Sequence, residues 1–126
     1  MAIVSFAQAQ NVTTDELTWH VSRLKNLATG EEAEHSFKFV THGSGSILWI
    51  QKNGAYTSEL TVSSMSGEWQ NVALTGQIFF NVTVDGQTGT LKFERSSNGI
   101  FCTIDLSQPN GGRLKHRYTV QSITPR

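Results

Sequence analysis

The chain has 126 residues, 37% of them apolar, with 10 basic and 10 acidic side chains and a formal net charge of zero. That length fits one domain with one core. The charge balance supplies neither the basic face of a generic nucleic-acid binder nor a pull toward anionic lipid, and apolar runs of only a few residues exclude a transmembrane helix.

Met1 to Gln10 reads Met-Ala-Ile-Val-Ser-Phe-Ala-Gln-Ala-Gln. Ala7-Gln8-Ala9 matches the small-x-small cleavage pattern of secretory signals. Residues 1–9 are therefore expected to be the remnant of an export signal. Residues 10–126 then form a single domain with a periplasmic or extracellular location. The lone Cys102 cannot form an internal disulfide, so packing and the β-ladder must supply stability. It falls in the apolar stripe Ile100, Cys102, Ile104, Leu106 and reads as a small buried hydrophobe.

From there on, turn chemistry alternates with runs of period two. Strands are expected near 17–27, 35–42, 46–52, 55–63, 69–75, 77–84, 88–96, 99–107 and 114–123. Gly76 either bends one long strand or separates two, so the count is eight or nine. Asn53-Gly54, Asp85-Gly86 and Asn98-Gly99 favour the positive φ angles of tight hairpin turns. Gly43-Ser44-Gly45-Ser46 and Pro109-Asn110-Gly111-Gly112 supply further breaks. Short connections make successive strands antiparallel neighbours. The expected fold is all-β, an up-and-down meander closing into a barrel, because closure removes both vulnerable edges. A β-sandwich is the alternative.

Alternation divides each strand into an apolar and a solvated face. The apolar faces read Phe37, Phe39, Thr41; Tyr56, Ser58, Leu60, Val62; Ile78, Phe80, Val82; Leu91, Phe93, Arg95; and Leu114, His116, Tyr118, Val120. His35 is in register with Phe37. Burying Arg95, His116, Tyr56 or Tyr118 without a partner costs about 1–3 kcal/mol each, more for a charge. These residues must therefore pair, reach water, or meet a ligand. Glu59, Glu94 and Asp105 fall on the opposite faces, so no carboxylate competes for Arg95 and no acid–base pair converges inside.

A meander of this size with Trp19 in its first strand resembles the lipocalin-like (calycin) barrels. Leu17-Thr18-Trp19 keeps the family's tryptophan but lacks its leading glycine, and the internal Thr-Asp-Tyr motif is absent. The resemblance implies a barrel that holds an apolar or amphipathic molecule, with Arg117 of the last strand packed over Trp19.

The histidines lack the convergent spacing of a metal site. No Gly-x-Ser-x-Gly elbow precedes a helix, and Gly43-Ser44-Gly45 lacks the helix of a phosphate loop. Neither a metal, a cofactor nor a catalytic set is expected. The leading expectation is a small-ligand-binding barrel. Arg95, His116 and Tyr118 would hold the ligand's head, Tyr56 would stand beside them, and Phe80 and Phe93 would line its tail. In that arrangement Arg95→Met should leave stability unchanged or raise it. The alternative is an adhesion, matrix or protein-interaction module with a filled β core.

Overall fold

The computed structural model describes residues 11–43, 45–51 and 54–125. Asn53 and the proposed signal segment lie outside them. Eight strands follow one another in chain order: β1 (Glu16–Asn26), β2 (Glu32–His42), β3 (Ile47–Gln51), β4 (Tyr56–Ser66), β5 (Gly76–Val84), β6 (Gln87–Ser96), β7 (Gly99–Ser107) and β8 (Arg113–Pro125). Each pairs antiparallel with the next, and β1 also pairs with β8, closing the barrel. The meander is the expected one, and closure decides against the sandwich.

Register carries the apolar faces inward as alternation requires. Phe39 faces Trp49 across β2 and β3, Phe80 faces Leu91, Phe93 faces Cys102, and Ile104 faces His116. Trp19, Phe39, Phe80, Phe93, Leu91 and Ile104 are fully buried. Their rings interlock. Trp19 lies 4.5 Å from Phe93, and Phe39 and Phe80 both stand edge-on to Phe93. The Trp19 indole N–H donates to the Thr41 hydroxyl at 2.9 Å, which explains a threonine on an otherwise apolar stripe.

Of the expectations about turns, one holds and one needs correction. Asp85 and Gly86 both have positive φ, 49° and 78°, as a primed hairpin demands. In the next hairpin only Gly99 does, at 128°. Ser96 pairs with Gly99, so the turn is built on Ser97 and Asn98, and Asn98 needs no left-handed conformation.

The segment 69–75 is not a strand. It is a loop that closes the end of the barrel where β1 begins, and the described residues therefore hold eight strands. Trp69 is buried there, 5.7 Å from Trp19, with its indole N–H donating to the Leu74 carbonyl. Its carbonyl accepts from the Val12 amide, which brings the fully buried Val12 onto the same end. A long-range demand for a plug has overridden the β-propensity of this stretch.

Gly76 makes the plug fit. A Cβ at this position would fall 2.7 Å from Cγ of the Trp69 ring. Gly76→Ala should therefore lower stability by about 1–3 kcal/mol, the scale of overpacking. The measurement is a urea midpoint at unchanged slope. An unshifted midpoint would mean that the Trp69 ring can leave its seat at no cost.

A polar cluster at the open end of the barrel

In an up-and-down barrel, strand ends alternate between two rims. The plugged rim gathers the starts of the odd-numbered strands and the ends of the even-numbered ones. The other rim gathers Asn26, Glu32, Gln51, Tyr56, Val84, Gln87, Ser107 and Arg113. At the plugged end Val12, Leu17, Ile47, Trp69 and Ile78 are buried, while Met65, Arg95, Ile100 and Ile123 stay partly exposed. Toward the other end Leu24, Gln51, Ser58, Val84, Leu114 and His116 are partly exposed. The second rim is the open one.

Its interior is aromatic below and polar above. Phe37, Trp49 and Tyr118 pack together, with Phe37 edge-on to Tyr118 at 4.7 Å and Trp49 centred 6.3 Å from Tyr118. Above them, the His116 ring stands 5.7 Å from Tyr118, its Nδ1 3.2 Å from the phenol oxygen. His35 stacks edge-on to Phe37 at 5.3 Å. Among the described residues, the Trp49 indole N–H is the buried side-chain donor that no protein acceptor meets. Trp19 and Trp69 both have acceptors.

The electrostatics follow from burial. His116 is held below the usual imidazole value, first by burial and then by the neighbouring His35. Tyr118 is raised, again mainly by burial, with Cys102 opposite it adding to the shift. The phenol therefore stays protonated and can donate to the imidazole. Burial also pushes the Cys102 thiol well up, so it is an inert core group rather than a nucleophile.

Of the six residues singled out from sequence, His116 and Tyr118 come together, and Tyr56 joins them at the same rim, 60% exposed. Phe80 and Phe93 lie deeper, fully buried in contact with one another. Arg95 is at the opposite end. It points inward by alternation, but it ends β6 on the plugged rim. There its Nε donates to the Val72 carbonyl at 2.7 Å and ties down the plug loop. Arg117 does not cover Trp19. With Tyr118 and Val120 inward it must face out, and its guanidinium sits 4.6 Å over the Phe101 ring.

Neither Trp49 nor, beyond its register with Phe37, His35 was singled out from sequence. His35 could have been found by asking which histidines share the rim at which β8 begins; the unmet Trp49 donor shows only once its neighbours are placed. Among the described residues no group of histidine, cysteine and carboxylates could hold a metal ion, and no helix is long and apolar enough to cross a membrane. Comparison with family models, curated proteins and solved structures gave no match.

The Arg95 bond reverses the expected effect of Arg95→Met. Losing a charged donor to a partly buried carbonyl should cost about 1.5–3 kcal/mol. Hydrogen exchange at the Val12 amide, which is bonded to the same loop, should speed up. Unchanged exchange would mean that the loop holds without Arg95.

His116 also makes a pH dependence. Its folded value lies below the unfolded one near 6.5, so the unfolded state takes up more protons, and stability should fall as pH drops through that range. In His116→Gln the fall in melting temperature between about pH 7.5 and 5.5 should be shallower. An identical slope would assign the effect to another group.

Proposed function

We propose that this protein is a non-catalytic, lipocalin-like binding barrel that takes an amphipathic molecule at its open rim. The observation that carries the reading is the buried Trp49 N–H with no protein acceptor, set beside the Tyr118–His116 pair. An unmet buried donor costs about 1–3 kcal/mol, and a ligand acceptor would recover it. Phe37 and the Trp49 ring offer an apolar floor for the first carbons of a chain. The tail does not run down the barrel axis, because Phe39, Phe80 and Phe93 fill it. A bound molecule would thus lie across the rim, against Tyr56 and Leu27, which are both exposed. An exported location, periplasmic or extracellular, fits such a carrier and belongs to the same proposal.

The filled centre favours a second reading, a protein-interaction module that works through its outer wall. Phe79 is 38% exposed there, with the Lys92 ammonium 5.8 Å above its ring.

Titration with decanoate, followed by the three indole N–H signals in nuclear magnetic resonance, separates the two. The Trp49 signal should move on binding, while those of Trp19 and Trp69, already bonded within the protein, stay in place. Tyr118→Phe should weaken decanoate about tenfold, the loss of one hydrogen bond of roughly 1.4 kcal/mol. A Trp49 signal that stays fixed at saturating decanoate would sink the carrier. Native mass spectrometry of protein from its own host that then showed a stable protein complex would favour the module.

A further inference from the structure

Besides a single slip between Val62 and Ser64 where β4 meets β5, the barrel wall is irregular at one place across three strands. Between Val21 and Arg23 the β1 register slips against both neighbours, leaving Ser22 without a partner in either ladder. Opposite it, β2 carries the extra residues His35 and Ser36. On β8, Gln121 is passed over between Ser122, which pairs with His20, and Val120, which pairs with Val21. Three adjacent strands are thus bulged side by side. Bulges re-aim side chains and interrupt the ladder, and they concentrate beside binding sites.

Over these bulges, on the outside of the barrel, lies a groove of about 700 Å³. It lies on the outer side of the wall, touches the open-rim cluster only at Phe37 and reaches the turn at Gly54. It has about twice the volume of the depression of about 360 Å³ beside the plug loop. Its polar lining is Thr18, His20, Ser36, Lys38, Gln121 and Thr124. His20 Nε2 stands 3.0 Å from the Thr124 hydroxyl, which orients the imidazole along the wall. Among the described residues that line the groove Lys38 is the charged one, and no carboxylate is among them. Among the described residues Lys38 enters no ion pair.

We infer that this outer groove is a second binding site, one for a small polar molecule that carries an oxyanion on a hydroxyl-rich body. Lys38 supplies the counter-charge. The hydroxyls and the Gln121 amide both donate and accept, which matches a partner that does the same. The volume is that of a ligand pocket, not of a bare inorganic ion. A sugar phosphate and a sugar acid share this chemistry.

Backbone amide shifts measured during titration with glucose 6-phosphate, glucuronate and glucose test the site. At millimolar concentration one or both of the anionic sugars should perturb Thr18, His20, Lys38 and Gln121 in a saturable way, and neutral glucose should bind at least tenfold more weakly. Saturation by only one of the acids would identify the oxyanion as phosphate ester or carboxylate. Lys38→Gln should lower the affinity tenfold or more, and Lys38→Arg should restore most of it. Lys38 stands on the wall outside the packed core, so both variants can be checked for an unchanged fold by the remainder of the spectrum. No saturable change with either acid, or equal affinity for glucose, would overturn the proposal.

Discussion

β1 pairs with β2 on one side and with β8 on the other, so the sheet has no free edge. The period-two alternation of every strand is thereby locked to a single choice of inside and outside. A slip of one residue in β1, β2 or β6 would turn Trp19, Phe39 or Phe93, respectively, to solvent. The aromatic centre, the plug and the open-rim cluster all depend on this closure. The bulges on β1, β2 and β8 let the ladder close while its walls stay tightly packed. They also shape the groove of about 700 Å³ on the exterior.

The two rims differ in how their polar groups are satisfied. At the plugged end the Trp19 and Trp69 N–H groups, the Val12 amide and the Arg95 guanidinium each find an oxygen of the protein. At the open end the Trp49 N–H finds none, and two imidazoles share a small volume with a phenol. A protein this size can leave a buried donor unmet, but net stabilities are small enough that one such group is a large fraction of the total. The asymmetry therefore separates an end whose buried donors are met from the end at which we place the proposed ligand. It draws on side-chain satisfaction rather than on the size of any hollow.

The inward stripes were legible because alternation is a strict geometric rule: Phe37, Phe80, Phe93, His116 and Tyr118 all face where period two places them. Asp85-Gly86 was legible because few residue pairs tolerate two successive positive φ angles. The stretch 69–75 was not, since Trp69, Val72 and Leu74 have strand-like composition and only long-range docking against Val12, Trp19 and Gly76 makes them a loop. Arg95 illustrates a subtler loss. Its inward direction was readable, and so was its rim, since in a meander the end of β6 cannot share a rim with the start of β8. Considering faces without ends is what joined Arg95 to His116. Trp49 was opaque for a different reason, because a missing partner shows only when all neighbours have been placed.

The pairing of Leu17 with Pro125 and of Asn26 with His116 joins residues from nearly opposite ends of the chain. As the chain emerges from the ribosome, β2 to β7 can zip up hairpin by hairpin, each closing a short loop. β1 must wait until β8 has appeared before its second side is covered. Until then the nascent sheet keeps two open edges, the template for pairing with another chain. Such long-range closure is intrinsically slow compared with local hairpin formation. The last strand thus has a kinetic importance beyond its share of the core, and the interval before its arrival is when this fold is most exposed to aggregation.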